Sequence, residues 1–109
     1  MIDWQKVGHV AFRRFRANVH WKGKGPTGRF GTCLMLVIGD VTREQDPDYV
    51  EGLDPISGAI AQHLGLSLQS AGDNWYSVCT RWNDRPETTR DDVLDVLSKL
   101  ADGTIKPSV

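Results

Sequence analysis

Thr88-Thr-Arg-Asp-Asp-Val-Leu-Asp-Val-Leu-Ser-Lys-Leu-Ala-Asp-Gly103 is the stretch on which the fold turns. Val93, Val96, Leu97, Leu100 and Ala101 recur at three-and-four spacing, with Arg90, Asp91, Asp95, Ser98 and Lys99 between them, the period of a helix with one buried stripe. Thr88 or Thr89 supplies the N-cap, and in either case an aspartate three residues on, Asp91 or Asp92, can return a hydrogen bond as in a capping box. Gly103 can take the left-handed conformation that closes the helix. In front stand Trp82-Asn83-Asp84, an aromatic beside two residues whose side chains bond local backbone, and they read as a fixed elbow leading into the helix.

Working outward, Trp4, Val7, Ala11, Phe15 and Val19 share one face of a helix over 3–19, with Phe12 widening the stripe and Asp3 as its N-cap. Gly8 reads there as a weak point costing about 1 kcal/mol against Ala. Lys22 to Gly31 holds four glycines and a proline and reads as a loop. Thr32 to Ile38 is a continuous apolar run, core in either case, whose periodicity does not separate helix from strand. Residues 40–53 read as a connection with one helical turn around Tyr49. Asp54-Pro55 reads as a cap followed by a first-turn proline, opening a helix that sets Ile56, Ile60, His63 and Leu64 on one face and stops at Gly65. Leu66 to Tyr76 reads as a polar segment tied down by Leu66, Leu68 and Trp75. Ser77 to Trp82 reads as extended, and Thr104 to Val109 as a frayed tail. The prediction is a small all-α domain of about four helices with long loops, spanning 1–109 as one unit. The alternative is α+β, with short strands near 32–38 and 76–82.

At 109 residues the chain can bury a single core without staples. No apolar run approaches the ~20 residues that span a bilayer, and the first residues lack a signal-peptide layout, so the sequence reads as cytoplasmic with no membrane partner. Cys33 and Cys79 are the only cysteines and read as small buried hydrophobes. Together with His9, His20 and His63 they show no paired short spacing, so neither a metal nor a cofactor is expected. The net charge of −1 conceals a division: residues 1–30 carry seven basic side chains and one acidic, while residues 31–109 carry six basic and thirteen acidic. Balances of +6 and −7 can be met inside the fold or can face partners of opposite charge.

Several of these residues carry a resemblance. Trp21 with Gly23 and Gly28, Cys33-Leu34 opening an apolar segment, a helix ending His63-Leu64-Gly65, and Trp82-Asn83-Asp84 followed by Thr89 and Val93-Leu94 resemble an uncharacterised family of small actinobacterial and bacteriophage proteins. The similarity covers about residues 18 to 102 and is most specific from Arg81 to Leu97. It departs in the apolar segment, where members carry Gly-Ala after the cysteine and this chain has Leu34-Met-Leu-Val-Ile38. The resemblance implies a mostly helical domain from a phage or prophage and implies no established activity. It also favours helix over 32–38, where propensity alone favours strand.

Gly23-Lys-Gly-Pro-Thr-Gly28 matches G-x-G-x-x-G in form only. A phosphate loop would place Lys and then Ser or Thr where Arg29 and Phe30 stand. No G-x-S-x-G or H-E-x-x-H occurs, and no catalytic residue is assigned. What remains is a basic group, Arg13, Arg14, Arg16, Lys22, Lys24 and Arg29, interleaved with Phe12, Phe15, Trp21 and Phe30. The leading expectation is a non-enzymatic binding protein with a protein partner, a phage accessory acting on a host protein. The alternatives are a nucleic-acid binder using the same basic group, since cations neutralise phosphates and aromatics stack on bases, and a small ligand-binding or hydrolytic domain at Trp82, Asn83 and Asp84. Oligomeric state has no signature.

Overall fold

The computed structural model describes residues 2–17 and 33–107. Within them the chain forms five helices and no strand: α1 (Trp4–Ala17), α2 (Leu34–Gln45), α3 (Asp54–Leu64), α4 (Trp75–Asp84) and α5 (Arg90–Ala101). The all-α expectation is met. α1 and α5 form an antiparallel pair: near the start of α1, Gln5 donates to the Ala101 carbonyl at the end of α5, while Arg90 at the start of α5 donates to the Phe15 carbonyl at the end of α1. α2 packs against α1 and α4, and α3 against α4. Phe15, Leu34, Met35, Ile38, Ile60 and Leu97 are among the fully buried side chains where these helices meet.

α5 is built as its sequence dictates. Thr89 is the N-cap; its hydroxyl accepts from the Asp92 N–H at 3.2 Å and the Asp92 carboxylate accepts from the Thr89 N–H at 2.8 Å, a reciprocal capping box. Val93, Val96, Leu97, Leu100 and Ala101 are buried. At the far end Gly103 has φ +86°, and the Ile105 N–H reaches the Lys99 carbonyl at 3.1 Å. Asp3 caps α1 by accepting from the Lys6 N–H at 3.1 Å. Gly65 closes α3 at φ +71°, and the Leu66 and Gly65 N–H groups return to the Ala61 and Gln62 carbonyls, a Schellman motif.

Several expectations fail for identifiable reasons. α2 overturns the strand reading of 32–38 as it bears on 33–38, and it continues through Gln45 into what read as a connection. Leu34, Met35, Val37, Ile38, Val41 and Thr42 are all buried, so this helix hides so much of its circumference that no alternation showed. Tertiary packing overrides the β-branched content. α4 overturns the extended reading of 77–82. Asn74 is its N-cap, accepting from the Ser77 N–H at 2.8 Å, and Val78, Cys79, Trp82 and Asn83 are buried at helical spacing. Trp82-Asn83-Asp84 is therefore the last turn of α4, not an entry to α5, and the bend falls at 85–88.

Smaller corrections follow the same logic. Tyr49 lies outside any helix, its hydroxyl donating to the Gly52 carbonyl and its ring meeting Trp4 edge-on at 6.1 Å. Leu53, not Asp54, is the N-cap of α3, so Asp54 and Pro55 occupy the first turn. Leu68, expected to tie the polar segment down, is exposed. Ile105 is buried, so the segment after Gly103 returns to the core instead of fraying there. Gly8 is no weak point: a Cβ on it would lie 2.5 Å from the Ala101 nitrogen, so its bare backbone is what lets α1 and α5 touch. Val19 and the predicted loop from Lys22 to Gly31 lie outside the described residues.

Candidate functional site

The basic group divides according to where α1 turns its side chains. With Val7, Ala11 and Phe15 buried, the opposite face carries Lys6, His9, Arg13 and Arg16, all exposed, at spacings of three and four. They span about 15 Å along the axis. α1 itself contains no carboxylate. Arg14 points elsewhere, making a two-pronged contact with Glu44 of α2, one prong at 2.6 Å. That hydrogen bond pulls the Glu44 carboxyl below its ordinary value and raises the Arg14 guanidinium. Both partners are exposed, so the bridge fixes direction more than it stabilises. Lys22, Lys24 and Arg29 lie outside the described residues.

Thus the structure brings Arg13 and Arg16 together, removes Arg14 from their company, and adds Lys6 and His9. The signal for those two was present as i, i+3, i+4 spacing with Arg13 and Arg16. Of the interleaved aromatics, Phe12 and Phe15 do not share this face, and Trp21 and Phe30 lie outside the described residues. Phe15 is fully buried with the Arg90 guanidinium 6.0 Å from its ring, and Phe12 packs against the core.

Trp82, Asn83 and Asp84 part company in the same way. Asn83 is fully buried, and its side-chain oxygen accepts from the Leu34 N–H at 3.0 Å. This serves the start of α2, whose N-cap, Cys33, makes no side-chain capping bond. The Asn83 amide donates to Asp84, which is exposed. The carbonyl of Trp82 accepts from the buried Thr88 hydroxyl, which pins the bend between α4 and α5. Trp82 itself is 5% exposed and borders a groove of about 250 Å³ with Leu66, Ser67, Gln69, Val78, Arg81 and Arg85. Neither Asn83 nor Asp84 lines it. Arg81 and Arg85 were not singled out by sequence; their four-residue separation, from the last turn of α4 to its C-cap, was the available signal.

The cysteines are unbridged. Cys79 is buried and donates to the Ser57 carbonyl at 3.3 Å, and burial pushes its thiol up to about 12, which makes it inert. Cys33 is half-buried, and its thiol is likewise raised by burial. Among the described residues no group of three His, Cys, Asp or Glu side chains could hold a metal ion, and no helix is long and apolar enough to cross a membrane.

Among the described residues, fold and surface together define a small domain of five helices with a cationic face on α1. Residues 4–103 match the family of unknown function DUF6197, and the chain belongs to that family. Neither the curated proteins nor the solved structures contain a significant match to it.

Proposed function

We propose that the protein is a non-enzymatic binding module that docks an acidic protein surface through Lys6, His9, Arg13 and Arg16. The observation that carries this reading is their arrangement: four exposed side chains on one face of a helix free of carboxylates, backed by the close α1–α5 contact. Complementary charge of this kind speeds and orients encounter more than it adds affinity. The placement of Phe12 and Phe15 in or against the core supports protein over single-stranded nucleic acid, because stacking needs exposed rings. The resemblance read from the sequence supplies a setting, a phage or prophage accessory acting on a host protein in the cytoplasm.

The test is affinity capture from a host lysate at low and high salt, paired with fluorescence anisotropy on duplex and single-stranded DNA and RNA. The expected result is a protein retained at low salt and released at high salt, with no nucleic-acid titration. Failure to retain any protein in a salt-sensitive way refutes the proposal. Salt-dependent binding to DNA or RNA instead transfers the face to the nucleic-acid reading.

A further inference from the structure

The groove beside Trp82 is independent of the α1 face. Residues 78, 81 and 82 fall on one side of α4, Arg85 follows as its C-cap, and the connection from α3 contributes Leu66, Ser67 and Gln69 as the facing wall. Its chemistry is divided. Leu66, Val78 and the edge of Trp82 give an apolar floor continuous with the core, while Arg81 and Arg85 set two guanidinium groups one helical turn apart on the rim.

Arg81 is held in place. One of its amino groups donates at 2.6 Å to Asp73, whose side chain is 6% exposed and also receives the Gln69 and Asn74 N–H groups at 2.9 and 3.0 Å. That carboxylate is consumed in fixing the wall, and a guanidinium with five N–H donors has others to offer. Arg85 donates to the Thr88 hydroxyl at 3.0 Å, and the exposed Glu87 carboxylate stands 3.9 Å away.

From this geometry we infer that the groove captures the free C-terminal carboxylate of a partner polypeptide ending in an apolar residue. Arginine forks suit a carboxylate, and the adjoining apolar floor suits the last side chain. A chain end is the occupant because the groove is open and about 250 Å³. Sites for small molecules are larger and enclose most of their ligand, whereas a terminal residue needs only a notch with an exit for the chain behind it.

The experiment is a titration of the isotope-labelled full chain, followed by NMR, with a hexapeptide ending in free leucine, its C-terminal amide, and hexanoate. The free-acid peptide is expected to give saturable shifts at Gln69, Arg81 and the Trp82 indole N–H, with the amide at least about tenfold weaker. Ser67→Trp, at an exposed wall position, is expected to abolish the shifts while circular dichroism and the melting midpoint stay unchanged. Glu87→Gln removes the competing carboxylate and is expected to tighten binding roughly threefold, a change that a merely structural role for Arg85 would not produce. No saturable shift below about 10 mM, or equal binding of the amide, overturns the site. Hexanoate binding as tightly as the peptide overturns the assignment to a chain end. None of these outcomes depends on the α1 face.

Discussion

Replacing Gly8 with alanine sets two well-understood effects against each other. Alanine favours a helix interior over glycine by about 1 kcal/mol, so local propensity alone makes the substitution stabilising. The added Cβ, however, would sit 2.5 Å from the Ala101 nitrogen and 2.8 Å from both the Ala101 Cα and the Leu100 carbonyl carbon. These are backbone atoms of α5 and have no rotamer to escape into. Restoring an ordinary contact near 3.5 Å requires α5 to retreat by about 1 Å, which strips a quarter to a half of the dispersion energy from the contacts that loosen. Val7, Ala11 and Phe15 on α1 and Val93, Leu97 and Leu100 on α5 are all fully buried, so the loss falls on well-packed atoms.

With overpacking at about 3 kcal/mol and propensity returning about 1, the net is a destabilisation of about 2 kcal/mol. In a domain of this size that lowers the thermal midpoint by about 10 °C. Gly39→Ala is the control. Its Cβ would meet only the Leu53 methyl at 3.2 Å and the Arg43 guanidinium at 3.5 Å, side-chain ends that can move, so it should be neutral or stabilising by up to about 1 kcal/mol. Calorimetry and urea unfolding of both variants read the two signs. A Gly8→Ala protein as stable as the parent, or more so, would refute the close α1–α5 approach.

Asn83→Ala should cost about 1–3 kcal/mol, seen as a lower urea midpoint at an unchanged slope, because the buried Leu34 N–H loses its acceptor; a parental midpoint would count against that bond. Thr89→Ala should cost about 1 kcal/mol through loss of the capping box, and a change indistinguishable from that of an exposed mid-helix Ser98→Ala would contradict it. Hydrogen bonding from Arg81 and two backbone N–H groups holds the Asp73 carboxyl below its ordinary value. Its contribution is therefore complete above the ordinary carboxylate range and fades as pH falls through the lowered folded value. Asp73→Asn should accordingly be less stable than the parent at neutral pH, with the gap closing below about pH 4; a gap independent of pH would sink the assignment. Cys79 should resist iodoacetamide at mildly alkaline pH until the protein unfolds, and labelling in the native state would contradict its burial.

How much of this could be read from residues depended on whether a local signal stood alone. α5 was legible because its period, its threonine cap and its closing glycine agree, and α1 because polar and apolar residues separate cleanly around it. α2 was not, since buried β-branched residues obscure the period of a helix sunk in the core. Nor was α4, because its start is set by Asn74, a cap within a short polar run that carries no helical period of its own. The role of Asn83 was beyond reach altogether: it serves a helix 49 residues away. Gly8 shows the same limit, because its meaning comes from Ala101 across the fold. At the candidate site, charge was visible in the sequence but its division was not. Only the packing of α1 turns Arg14 toward Glu44 and leaves Arg13 and Arg16 beside Lys6 and His9.

The face on α1 is tested most directly by reversing its charge. Lys6, Arg13 and Arg16 are exposed, so the triple substitution Lys6→Glu, Arg13→Glu, Arg16→Glu should keep the helical circular dichroism of the parent. Measured against the partner retained at low salt, the account predicts an affinity reduced by at least about tenfold, mainly through slower association, and a dependence on salt that disappears. An unchanged dissociation constant with the salt dependence intact would contradict it.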